Sequence, residues 1–89
     1  MIEREVTIKN RAGLHTRPAA TLVKLAAKFN SEFYIIKDGM EINGKSIIGV
    51  MTLAAERGSK LIIKFDGPDE ADAAKAMYEL FDRGFDEPM

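Results

Sequence analysis

The sequence predicts an α+β fold in which helices cover one face of a single sheet, and three observations carry that expectation. Ile2 to Lys9 sets Ile2, Arg4, Val6 and Ile8 against Glu3, Glu5, Thr7 and Lys9, the two-residue period of a half-buried strand. Ala19, Leu22, Val23, Ala26 and Phe29 recur at helical spacing, and so do Ala73, Ala74, Met77, Leu80 and Phe81. Between these lie further short strand-like and helix-like segments, in the order strand, helix, strand, strand, helix, strand, helix. A chain of 89 residues is long enough to bury one core and too short for two, so a single domain over 1–89 is expected, with a frayed tail from about 85 to 89.

Each element has its own local reason. Asn10 to Gly13 breaks the first alternation as a loop. The helix that follows runs from about Thr16 to Phe29, with Lys24 and Lys28 turned outward and Asn30 suited to its end. Pro18 biases Arg17 away from helical geometry and argues for a start at Pro18 itself. Glu32 to Lys37 and Met40 to Asn43 read as strands joined by Asp38-Gly39, a pair that supplies the positive φ angles of a two-residue hairpin. Ser46 to about Ala55 is short and apolar; its pattern alone leaves strand and helix open, and Ser46 as an N-cap favours helix. Arg57-Gly58-Ser59 turns the chain into a strand over Lys60 to Asp66. Gly67-Pro68-Asp69-Glu70 then opens the last helix, with Pro68 expected at its first position, acids in its first turn and Gly84 at its end.

Composition excludes several classes of function. There is no cysteine, so disulfides and thiolate metal sites drop out, and a reducing compartment fits. The chain has no apolar run of spanning length and no signal-like start, so membrane insertion is not expected and the cytoplasm is. Thirteen basic and fourteen acidic residues give a net charge of −1, which provides no drive toward nucleic acid. Most basic residues precede Arg57, and acids crowd the stretch from Asp66 onward; the first half therefore offers a basic face for an acidic partner, or else plain solvated surface. Met40, Met51 and Met77 lie far apart and read as packing residues rather than metal or haem ligands. Asn43-Gly44-Lys45-Ser46 lacks the upstream glycine of a phosphate-binding loop.

One stretch concentrates chemistry: Gly13-Leu14-His15-Thr16-Arg17-Pro18, which holds the only histidine. A helix start leaves backbone N–H groups without partners and carries partial positive charge, a natural seat for an anion. Arg17 adds a planar donor fork suited to phosphate oxygens, and Pro18 costs nothing where the helix has no bond to make. A histidine is largely neutral near pH 7 and presents a bare ring nitrogen as nucleophile. A solitary histidine before a helix also fits a cap or a half-buried filler, and residue types alone leave the two readings level.

The motif as a whole tips the balance. Gly13-Leu14-His15-Thr16-Arg17-Pro18-Ala19-Ala20 resembles the active-site signature of the HPr family, the histidine phosphocarriers of the bacterial phosphoenolpyruvate-dependent phosphotransferase system. Gly44-Lys45-Ser46-Ile47-Ile48-Gly49-Val50-Met51-Thr52-Leu53 resembles that family's regulatory serine signature, at the family's spacing, and the likeness extends to about Phe85. The resemblance implies a two-layer open-faced sandwich, a four-stranded antiparallel sheet in the order 1-4-2-3 with three helices on one face and the first helix starting just after His15. It implies phosphorylation of His15 at Nδ1, with Arg17 and the backbone N–H groups of Thr16 and Arg17 holding the charge.

The resemblance further implies that the phosphoryl group comes from phosphorylated enzyme I and goes to the IIA domain of a sugar permease. It gives Ser46 to an HPr kinase/phosphorylase, and Ile47, Ile48, Met51, Ala20 and Lys24 to partner binding. On a short helix, packing alone would take one or two of Ile47, Ile48 and Met51 into the core. Enteric members carry lysine where this chain has Ala27 and Gly49, which bears on the partner interface. A monomer without cofactor or metal is expected, a carrier rather than an enzyme. The competing reading is a regulatory module working through Ser46 in a nitrogen-type or carbon-repression branch; a hydrolase using His15 as base lacks a partnered carboxylate or nucleophile.

Overall fold

A computed structural model describes residues 1–88 of the chain. Four strands, β1 (Ile2–Thr7), β2 (Glu32–Lys37), β3 (Met40–Asn43) and β4 (Lys60–Asp66), form one antiparallel sheet in the order β1-β4-β2-β3. Helices α1 (Thr16–Ala26), α2 (Ile47–Thr52) and α3 (Glu70–Asp82) cover one face. The alternation read in the sequence decides which strand residues meet them: Val6, Phe33, Ile35, Leu61, Ile63 and Phe65 point into the helical layer and are buried. Phe33 and Phe65 stack there with ring centroids 4.7 Å apart. The other face of the sheet carries Glu3, Glu5, Tyr34 and Lys64 and is left to solvent.

The hairpin between β2 and β3 turns on Asp38 (φ 51°) and Gly39 (φ 83°), the doubly positive geometry that the Asp-Gly pair announces. Helix α3 buries the predicted face of Ala73, Ala74, Met77, Leu80 and Phe81. Helix α1 is shorter than expected at its end. After Ala26 the chain tightens, with Lys28 N–H donating to Leu25 O at 3.0 Å and Phe29 N–H to Ala26 O at 3.2 Å, a three-residue pitch that closes the last turn. Helix α2 likewise stops at Thr52 rather than near Ala55: Ala54 takes a positive φ of 50°, and Ala55 O then accepts from Leu14 N–H in the loop before α1.

Pro68 is not the first residue of α3 but lies one position before its cap, Asp69. The reason is a polar junction that fixes where the helix begins. Both Asp69 carboxylate oxygens leave the helix: they accept from Asn30 N–H at 2.8 Å, from Ser31 N–H at 2.9 Å and from the Ser31 hydroxyl, joining the α1–β2 loop to α3. Glu70 then takes over at the helix start, accepting from Gly67 N–H at 3.0 Å and pairing with the Met1 ammonium at 3.0 Å. The bonds to Ser31 and Asn30 hold the Asp69 carboxyl below its ordinary range, and the Gly67 N–H followed by the Met1 ammonium does the same for Glu70.

Three other expectations change. The frayed tail is not seen over 85–88: Phe85 is buried edge-on against Phe81, and Pro88 O accepts from Arg11 N–H at 2.9 Å; Met89 lies outside the described residues. An apolar ring one turn beyond α3 has room in the core, and that anchors the end. Charge segregation along the sequence is partly relieved in space, where Lys9 pairs with Asp82 at 2.5 Å and Arg17 lies 3.9 Å from Glu87. Of the three methionines, only Met77 packs; Met40 on β3 and Met51 on α2 are exposed.

Candidate functional site

The Ala19 N–H donates to His15 O at 2.9 Å, the first intrahelical bond of α1. His15 is therefore the N-cap and Pro18 the third helical residue, where no N–H is required and where the ring faces no helical carbonyl behind it. Helix N-caps are commonly Ser, Thr, Asp or Asn, whose side chains close the end. His15 makes no such bond. The Thr16 and Arg17 N–H groups thus stay open at the positive end of an 11-residue helix with no acid in its first turn, beside an exposed imidazole.

The loop that presents His15 is pinned from three sides. Leu14 N–H donates to Ala55 O at 2.9 Å, and Leu14 itself is buried. Gly13, at φ 72°, lies so close to the segment after α2 that a Cβ would sit 2.5 Å from Ala55 O, so only glycine satisfies both the turn and the contact. Asn10 is fully buried and donates Nδ2 to Gly13 O at 2.9 Å. His15 ends up on the rim of an open depression shared with Leu14, Met51, Ala54, Ala55 and Glu56. Fixed backbone beneath and free imidazole above is the arrangement of a group meant to be reached.

The third side is the chain end, which nothing local in the sequence connects to the histidine. Glu87 is only 12% exposed; its Oε1 lies 3.5 Å from Asn10 Nδ2 and its Oε2 lies 3.9 Å from Arg17 Nε, while the Arg17 side chain is 86% exposed. A loose pair to a guanidinium in water contributes little to stability, so Arg17 is free to exchange Glu87 for another anion. Glu87, Asn10 and Glu56 were not singled out from sequence. The one available hint is Gly84-Phe85, an apolar residue after a helix stop, which signals that the chain returns to the core and carries Glu87 with it.

The other sequence-picked residues lie on α1 and α2, which pack against each other, or at the start of α2. Ile47, Ile48 and Met51 are all exposed, Ile48 at 76%; the core takes Val50 and Leu53 from this segment instead. Packing thus claims none of the three. Met51 borders the His15 depression, and Ala20 and Lys24 are exposed on α1, which packs against α2. Ser46 caps α2, its Oγ accepting from Gly49 N–H at 3.1 Å, as its position implied. Lys45 beside it is committed elsewhere, donating Nζ to Phe29 O at 2.7 Å at the end of α1. Among the described residues no group of three or more His, Cys, Asp or Glu side chains is placed to hold a metal ion.

The arrangement can seat a small multiply charged oxyanion on an accessible imidazole, with two backbone donors and one guanidinium at hand. The family model described as the PTS HPr component phosphorylation site matches residues 2–83. The chain is 44% identical to phosphocarrier protein HPr of Treponema pallidum, over 98% of this chain and 99% of that one. A crystal structure of HPr-C-His from Thermoanaerobacter tengcongensis superimposes with a TM-score of 0.96 at 40% identity, covering 100% of both chains. A crystal structure of an HPr dimer from the same organism gives 0.77 at 41% identity, covering 96% of this chain and 98% of that one.

Proposed function

The chain belongs to the HPr family of phosphotransferase-system phosphocarriers, carriers rather than enzymes, and from that premise we propose that His15 is its phosphoryl-accepting residue. In this reading Nδ1 of His15 attacks the phosphorus of phosphorylated enzyme I, the bond to the donor breaks as the new N–P bond forms, and the group later leaves to the IIA domain of a sugar permease. The observation that carries the reading is the unfilled N-cap: an exposed imidazole beside two free helix N–H groups and a loosely held guanidinium. Those groups face developing negative charge rather than a neutral substrate. They must bind the transferring phosphoryl at least as well in transit as at rest, because a carrier that held its cargo too firmly would not release it. All of them come from one copy of the chain, so a monomer suffices, working in the cytoplasm with no cofactor of its own.

Partner docking falls to the exposed apolar surface beside the imidazole. Ile47, Ile48 and Met51, with Ala20 and Lys24 across the α1–α2 contact, form a small apolar patch with a basic rim, the composition of a transient interface. Ser46, at the base of that patch, is the proposed target of an HPr kinase/phosphorylase. A phosphoryl group there adds about −1.5 to −2 charges next to the patch and acts on docking. Reconstitution tests the transfer reading: protein phosphorylated by enzyme I and phosphoenolpyruvate, then freed of both, should lose its phosphate to an added IIA domain mole for mole. Retention of the label in the presence of several IIA domains would contradict the carrier role.

A further inference from the structure

The sheet has a second edge whose backbone pairs with no further strand among the described residues, and its chemistry is asymmetric. Among the described residues, strand β1 pairs only with β4. In an antiparallel strand each residue turns its N–H and C=O to the same side, and sides alternate along the chain. Ile8 fixes the phase, donating to Ser59 O at 2.9 Å and accepting from Gly58 N–H at 2.8 Å on the β4 side. Even-numbered residues therefore face β4, and Glu3, Glu5 and Thr7 turn their backbone groups to the free edge. The Arg4 guanidinium confirms the phase by reaching over that edge to Glu3 O at 2.9 Å.

Beside this edge runs a groove against α3, lined by Ile2, Arg4, Ala71, Ala74, Lys75 and Tyr78. Met1 pairs with Glu70 where β1 and α3 begin, and Lys9 just after β1 pairs with Asp82 at the end of α3. None of the groove residues borders the His15 depression. Strand edges next to a helix are used for peptide recognition: the main chain supplies affinity and alternate side chains supply specificity. Here the alternation is charged. Glu3 and Glu5 stand on the open face of the sheet, while Arg4, between Ile2 and Val6 along the strand, stands on the helix side, where Lys75 of α3 lines the same groove.

We propose that the free edge of β1 accepts an extended segment of another protein by strand addition, one carrying basic residues toward Glu3 and Glu5 and an acidic residue flanked by apolar ones toward the groove. A second copy of β1 does not meet this pattern. Two-fold pairings that keep the faces matched set Glu3 opposite Glu5 and Arg4 opposite Arg4, or Glu5 opposite Glu5, and like charges directly opposed are destabilising. The complementary strand instead reads Val-Lys-Glu-Lys-Val.

The test is a titration of the full-length protein with the blocked peptide Thr-Val-Lys-Glu-Lys-Val-Thr, followed by amide hydrogen exchange. Exchange at Glu3 and Glu5, open to water in the free chain, should slow by about tenfold or more, with the amides around His15 unmoved. The charge-reversed peptide Thr-Val-Glu-Lys-Glu-Val-Thr should give no protection. The double variant Glu3→Lys/Glu5→Lys, whose changes lie on a solvated face, should exchange that preference. The proposal is overturned if millimolar peptide leaves Glu3 and Glu5 unprotected, if both peptides protect equally, if protection appears around His15 instead, or if the chain self-associates through β1 in preference to binding peptide.

Discussion

Two carboxylates near helix starts, Asp69 and Glu87, show how differently this small chain treats its scaffold and its reactive end. Asp69 accepts three hydrogen bonds from Asn30 and Ser31 and locks the loop after α1 to the start of α3. Glu87 lies 3.5 Å from Asn10 Nδ2 and 3.9 Å from an almost fully exposed Arg17. One is a fastening, and the other is a placeholder. The same contrast holds for the helix ends: α2 is closed by the Ser46 hydroxyl, whereas α1, with His15 at its cap, is left open. Satisfied polar groups mark where the fold is held, and unsatisfied, accessible ones mark where it reacts.

The contrast breaks first, and most completely, at His15. His15→Ala should abolish phosphorylation by enzyme I and phosphoenolpyruvate while leaving thermal unfolding almost unchanged, since the ring touches no cap bond; calorimetry alongside labelling checks both halves. Arg17→Ala comes next, with phosphotransfer slowed on the order of a hundredfold, the usual consequence of removing one donor aimed at developing charge. Stopped-flow or quench-flow transfer from enzyme I measures it, and an unchanged rate would reduce Arg17 to surface.

Ser46→Asp should weaken phosphorylation of His15 more than it changes stability, and the defect should shrink as salt screens the added charge. Transfer assays at low and high ionic strength distinguish this from a lost cap, which salt would not repair. At the scaffold the effects invert. Asp69→Asn should lower the melting temperature and leave transfer intact. The sign of its pH dependence follows from the lowered folded-state values of Asp69 and Glu70. In acid the unfolded chain takes up protons at these groups before the folded chain does, so their stabilisation is complete above the ordinary carboxylate range near pH 4 and is lost as pH falls through and below it. Denaturation followed from pH 7 to pH 2 should show a shallower acid decline in Asp69→Asn than in the unaltered chain. Smallest is Glu87→Gln, which keeps an acceptor for Asn10 and loses only the loose contact to the exposed Arg17, so stability should move by about 0–1 kcal/mol, measurable by urea titration.

Much of this was legible in the residues because it is local. Alternation at Ile2–Ile8, the Asp38-Gly39 pair, the apolar face of α3 and the cap at Ser46 each depend on neighbours within a turn or two, and each appears in the structure. Strand order is different in kind. That β4 runs between β1 and β2 depends on contacts across more than fifty residues of sequence, such as Glu5 opposite Ile62, and it was available only through resemblance to a known family. The start of α1 was ambiguous because Pro18 constrains Arg17 and helix geometry in opposite directions; the bond from Ala19 to His15 decides it. Pro68 misled by the same kind of rule, overridden by the attachment of Asp69 to Ser31. Glu87 beside Arg17 was invisible because no pattern links positions seventy apart until Phe85 is seen to be buried.

Whether the open helix end at His15 carries the cargo is tested most directly by intact-mass measurement after incubation with phosphoenolpyruvate and cognate enzyme I. A single phosphoryl increment is expected, labile in acid and stable in base as a phosphorylated imidazole is, present in the unaltered chain and in Asp69→Asn and missing from His15→Ala. Full labelling of His15→Ala, or an acid-stable increment on the unaltered chain, would contradict it.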